Sequence, residues 1–155
     1  MSFRIVHGAM ARKSAVVSSS EATYWTKGRL LSLNTTGQII VNTAPATNRL
    51  VGIALEDRMN PSVVHPTVTN LKVGAPNGEQ ASFIMDPSVI EQEQNLESGI
   101  TFTAGDRIYC STNGKITTSG NSTGPSGPVI GLALSAYAVS ADTQRPLTYF
   151  FNVEY

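Results

Sequence analysis

Short runs that are apolar, or that alternate apolar with polar residues, recur along most of this chain, and turn-forming residues separate them. A period of two predicts β-strands. The runs fall at 29–33, 38–42, 49–55, 67–73, 80–85, 106–111, 115–118, 128–134 and 147–153. Between them stand Asn34-Thr35-Thr36-Gly37, Ala75-Pro76-Asn77-Gly78, Thr112-Asn113-Gly114 and a Gly-, Ser- and Pro-rich stretch over 119–127. Asn-Gly and Gly take positive φ at little steric cost, which suits tight turns. One segment breaks the pattern. Asp86-Pro87-Ser88 offers an N-cap with proline at the first helical position, and Glu91 and Glu93 fall where a helix dipole favours anions. Val89, Ile90, Glu93 and Leu96 make only a partial apolar stripe. Residues 86–98 therefore read as either a short surface helix or a polar loop.

Two further stretches constrain the architecture. Tyr149, Phe150 and Phe151 are consecutive, so a strand sends them to both faces. One face must be core, and the other needs cover from elsewhere. The first 25 residues lack a regular period, although Phe3-Arg4-Ile5-Val6 could pair as a strand. They read as an extended arm, residues 1–25, on a single β domain, residues 26–155. Such an arm is either a disordered terminus or a segment that orders on a neighbouring subunit. In the second case Phe3, Arg4, Ile5, Arg12, Lys13, Tyr24 and Trp25 are the candidate partner-binding residues. They are the arm's basic side chains and its large apolar ones. The acidic stretch 79–97 of an adjacent copy, or an acidic patch on another protein, would suit them.

An internal repeat gives the fold a plan. Lys27-Gly28-Arg29-Leu30-Leu31-Ser32-Leu33 aligns with Ala104-Gly105-Asp106-Arg107-Ile108-Tyr109-Cys110, and Gly37-Gln38-Ile39 follows as Gly114-Lys115-Ile116 at the same spacing. Then Leu50-Val51-Gly52-Ile53-Ala54-Leu55 matches Val129-Ile130-Gly131-Leu132-Ala133-Leu134. Two copies are too few for a solenoid. They predict an all-β fold, a small barrel or sandwich with two related halves and the extended N-terminal arm. Gly52 and Gly131 interrupt apolar strands, where glycine marks a bulge, a bend or a close backbone approach.

Charge is sparse. Only 14% of residues are charged while 41% are hydrophobic. An average soluble domain is roughly 25% charged, so this surface is largely Ser, Thr, Asn, Gln and Gly. Such a surface suits contact with other proteins, since charge is depleted at interface cores. The net charge is zero but unevenly spread. Residues 1–49 carry six basic side chains against Glu21, and residues 50–100 carry seven acids against Arg58 and Lys72. Neither block has the density of a nucleic-acid footprint. No apolar run approaches the roughly 20 residues that span a bilayer. The start lacks the apolar region of a secretory signal, so the expected location is a cytoplasm or a particle assembled there.

Candidate chemistry is thin. Cys110 is the only cysteine and sits in a strand-like run, which suits a buried side chain better than a nucleophile. His7 and His65 share no local motif with Asp, Glu or Cys, so no metal-ligand spacing exists. No serine elbow, phosphate loop or dinucleotide fingerprint is present. The pair Glu56-Asp57 reads as a solvated strand end. The expectation is a protein that is not an enzyme, with no cofactor, metal or small-molecule substrate.

The repeated phrases resemble a known family. Ala104-Gly105-Asp106-Arg107-Ile108, Asn113-Gly114-Lys115-Ile116 and Val129-Ile130-Gly131-Leu132-Ala133-Leu134 are similar to phrases in the head decoration (cement) proteins of tailed bacteriophages. The likeness covers residues 27–55 and 104–134. It implies a β-rich structural protein of the virion, made in the host cytoplasm and bound to the capsid exterior. It implies the major capsid protein as partner, a homotrimer at local threefold positions, and a terminal arm reaching an adjacent subunit. It implies no catalysis; the charge distribution and the lack of a spanning apolar run lead to the expectation of neither nucleic acid nor membrane as partner. The alternative is a carbohydrate-binding or adhesin-like domain of a phage tail or cell surface, which exposed aromatics in a shallow groove would favour.

Overall fold

Every apolar or alternating run that falls within the described residues forms a strand. The structure, a computed structural model, describes residues 3–8, 12–58, 80–118, 127–139 and 145–152. The expected strand at 67–73 lies outside them. The elements in chain order are β1 (Phe3–Gly8), β2 (Arg12–Val16), β3 (Leu30–Leu33), β4 (Ile39–Val41), β5 (Leu50–Ala54), β6 (Gln80–Ile84) and β7 (Ser88–Gln92). They continue with β8 (Thr101–Phe102), β9 (Arg107–Cys110), β10 (Ile116–Thr118), β11 (Gly131–Ala133), β12 (Tyr137–Ala138) and β13 (Leu147–Phe151). The protein is all-β, with no helix among the described residues. Its strands form three antiparallel sheets, ordered β2-β6-β5-β3-β4, β1-β7-β13-β11-β9-β10 and β12-β8, in keeping with a small sandwich.

Residues 86–98 are neither helix nor polar loop throughout. Their first part is β7, a strand paired on both sides, with β1 and with β13. The alternation is real but hidden, because two of its three inward residues are polar: Ser88, Ile90 and Gln92 are all buried. Each polar group finds a partner. Ser88 Oγ donates to the Asp86 carbonyl at 3.0 Å. Gln92 accepts a 2.7 Å hydrogen bond from the Tyr149 hydroxyl and donates to the Gln94 carbonyl at 2.8 Å. Two flanking strands and these bonds outweigh the local helix-start signal.

Two apolar clusters organise the interior. One joins Val17 and Trp25 to first-sheet residues Leu31, Ile39, Val41, Val51, Ala54, Ala81 and Phe83. The larger cluster is built on Ile90, Phe102, Ile108, Ile116, Tyr149 and Phe151. It also takes in Leu30, Leu50, Ile53 and Ile84 from the first sheet. The triplet at 149–151 splits as alternation requires: Tyr149 and Phe151 are fully buried, and Phe150 is exposed.

The two strand glycines stand at close approaches. Gly52 lies opposite Leu31, and Gly131 opposite Ile108. A Cβ at Gly52 would run into the carbonyl oxygen of Ile84, and one at Gly131 into that of Phe150. Glycine is what lets β5 and β11 lie this near their neighbours.

The described part of the first 25 residues is woven into these sheets. β1 pairs with β7, β2 pairs with β6 along its full length, and the Val17 amide region bridges Ile39.

Candidate functional site

The seven candidate binding residues fall in two groups. Phe3, Arg4 and Ile5 are on β1. Phe3 and Ile5 are partly buried and pack against the larger core. Arg4 points outward and its Nε donates to Glu91 Oε2 at 2.6 Å, the cross-strand neighbour in the β1–β7 register. That hydrogen bond holds the Glu91 carboxyl below its ordinary pKa and raises that of Arg4. The pair is solvent-exposed, so it adds little stability.

Arg12 and Lys13 are on β2 in the first sheet; Tyr24 and Trp25 follow it in the chain, and Trp25 forms an isolated bridge with Arg58. Arg12 pairs with Glu56 and donates to Ser82 Oγ at 2.9 Å. Lys13 is exposed on β2. Trp25 is only 5% exposed and sits inside the first cluster. Its indole donates to the Glu56 carbonyl at 3.2 Å, and its main chain exchanges hydrogen bonds with Arg58 at 3.1 and 2.7 Å. The Arg58 guanidinium lies 4.9 Å from the Tyr24 ring centroid and 5.4 Å from that of Trp25. This places Arg12, Tyr24, Trp25, Glu56 and Arg58 in one neighbourhood, with Trp25 as its buried anchor. Arg4, Arg12, Lys13 and Tyr24 remain accessible, while Phe3, Ile5 and Trp25 are engaged within the chain.

Sequence reasoning did not single out one exposed apolar region. Val129, Leu132, Leu134 and Phe150 are all more than a third exposed on the outer side of β11 and β13. Val129, Leu132 and Phe150 line a shallow groove of about 530 Å³ together with Arg107, Pro128 and Asn152. The signal that could have found it was the aromatic triplet, whose middle member had to face away from the core. A second groove of about 660 Å³ involves Leu33, Asn34, Thr35, Ile40 and Met85.

Neither groove gathers groups for catalysis. Among the described residues no cluster of three His, Cys, Asp or Glu could hold a metal ion. His7 is exposed on β1, and His65 lies outside the described residues. Burial pushes the Cys110 thiol up to about 12, so it is protonated and unreactive near neutrality. The half-buried guanidinium of Arg29 has its pKa lowered by burial and donates to Asn95 Oδ1 at 3.3 Å. These surfaces can bury apolar area against another surface. They do not present convergent polar groups around a small ligand. No protein-family model matches the chain, and no curated protein matches it.

Proposed function

We propose that this chain is a structural protein of a tailed-phage virion that binds the capsid exterior and cements neighbouring capsomers. The major capsid protein is its partner. The chain self-associates, and the resemblance of residues 27–55 and 104–134 to decoration proteins supplies the number three. The observation that carries the reading is the character of the surface: only 14% of residues are charged, and Val129, Leu132, Leu134 and Phe150 are exposed in and beside β11 and β13. Weakly charged surfaces with exposed apolar side chains serve protein contact. The exposed basic side chains Arg4, Arg12 and Lys13 are suited to an acidic capsid patch, at roughly 0–1 kcal/mol for each exposed pair.

Co-purification tests this reading. Virions of the phage that encodes the chain, banded in a density gradient, should carry it in fixed ratio to the major capsid protein. Finding it only in the unbanded soluble fraction would sink the proposal. The adhesin-like alternative draws on one feature, the exposed Phe150 ring in a groove with Arg107 and Asn152. Saturable binding on a glycan array, abolished by Phe150→Ala, would favour it.

A further inference from the structure

We infer that the apolar outer face of β11 and β13 docks on a second copy of this chain, and that copies pack head to tail as the two sheets of one chain do. The inference deepens the self-association in the function proposed above and stands without the capsid.

It begins with strand pairing. The order β2-β6-β5-β3-β4 is matched strand for strand by β7-β13-β11-β9-β10, with β1 added outside β7. Registers agree as well. Lys13 faces Phe83 as Ile90 faces Tyr149, and Ala54 faces Phe83 as Ala133 faces Tyr149. Leu31 faces Gly52 as Ile108 faces Gly131. Isolated bridges repeat too: Val17 with Ile39 and Leu96 with Ile116, both parallel. The antiparallel Trp25–Arg58 bridge is answered by the Phe102–Tyr137 pairing. Even single amides coincide, since Gly28 donates to Ala54 and Gly105 to Ala133, each at 2.8 Å. The chain holds two units of one plan.

Several corresponding positions differ in burial, in one sense on the face that enters the other unit and in the opposite sense on the side that receives it. On the first unit, Leu30, Leu50, Ile53 and Ile84 are at most 4% exposed and join the second unit's core. Their counterparts are Arg107, Val129, Leu132 and Phe150, which are all exposed. The receiving side shows the reverse. Cys110 is buried and lies 3.5 Å from the Asn42 carbonyl, and the Leu30 amide donates to Gly114 at 3.0 Å. The counterparts of Cys110 and Gly114 are Leu33, which is 37% exposed, and Gly37, which has nothing within 4 Å of its Cβ position. Gly28 is packed against Phe3, Gln92 and Asn95, whereas its counterpart Gly105 is open.

Thus the contact between units is made once inside the chain. Each of its two surfaces also exists a second time, unused: the β11/β13 face on the second unit, and Leu33 with the 34–37 turn on the first. A second copy supplies the missing half of each. The contact is heterologous, so it makes a ring if the rotation closes and a filament if it does not. Arg107 stands where Leu30 does, and Lys13 where Ile90 does, so the contact between copies is more polar than the internal one. A reversible interface has this character.

Sedimentation of the full chain with two single-surface variants tests the inference. The face variant is Leu132→Asp/Phe150→Asp, with Phe150→Ser in reserve if the charges impair folding; the turn-side variant is Leu33→Asp. Circular dichroism confirms that each is folded. The unaltered chain should self-associate at micromolar concentration, and each variant alone should associate about tenfold more weakly or not at all. An equal mixture should recover a dimer, because each variant retains the surface that the other lacks. An unaltered chain that stays monomeric at about 100 μM would assign the face to a different partner and overturn the inference. So would a face variant that associates normally, or a mixture that stays monomeric. Each of these outcomes leaves virion co-purification untouched, so the two proposals can fail separately.

Discussion

A methyl group added at Gly131 has no space to enter. Its nearest atoms would be the Phe150 carbonyl oxygen and the Ile108 side chain, and the first belongs to a paired strand that cannot swing aside. Gly131→Ala should lower the unfolding free energy by about 1–3 kcal/mol, the range for overpacking, as measured by urea denaturation. Tyr149→Phe acts differently. It leaves the buried Gln92 Oε1 without its 2.7 Å donor, at a cost of about 1–3 kcal/mol. Tyr149 and Cys110 also set the alkaline limit of the fold. Burial raises both pKa values, Cys110 from 9.0 to about 12 and Tyr149 well above 10.0. The unfolded chain therefore releases these protons first. Stability is intact below pH 9.0 and falls as pH rises through 10.0, by up to about 1.4 kcal/mol per group for each unit beyond the unfolded value. Thermal midpoints between pH 8 and 11 check this. Tyr149→Phe should flatten the fall above pH 10.

At the scale of elements, strands were readable as short apolar or alternating runs between turn residues. β3, β5, β6, β9 and β13 all stand where such runs fall. β7 was missed because its inward Ser88 and Gln92 are polar, and only the tertiary fold supplies their partners. β2 was missed for the opposite reason. Arg12, Lys13 and Ser14 are all exposed, so no stripe marks the strand, and its place follows from pairing with β6. β8 and β12 are two residues each, too short to show a period. Of the candidate site, the aromatic triplet announced an uncovered face, but Val129 and Leu132 stand in a continuous apolar run that does not show which side chains face outward. The same pairing decides what truncation does. Removing residues 1–8 strips β1 from β7 and loses the packing of Phe3 and Ile5, with an upper bound of about 1.5–3 kcal/mol each. The first sheet should remain folded. Removing residues 1–20 also takes β2, Val17 and the Ser18 amide that donates to Ile39 at 2.9 Å. Cooperative unfolding should then be lost from the first sheet, as far-UV spectra with denaturant will report.

At the scale of the whole molecule, the basic front and acidic middle of the chain meet within it. Arg4 pairs with Glu91 and Arg12 with Glu56, and both pairs are solvent-exposed. Salt should therefore change the melting temperature little. Far more rests on where one sheet's face enters the other's core, and Cys110 lies at that seam, against the Asn42 carbonyl. A thiol-alkylating reagent can reach this sulfur only while the seam is parted. The first sheet keeps an apolar cluster of its own, so parting need not be global unfolding. Alkylation followed over time at rising urea thus reads an opening rate from a single native atom, with no label introduced. Modification that precedes loss of the β signal would mark a molecule that hinges apart before it melts. Modification that coincides with it would mark two sheets that stand or fall together.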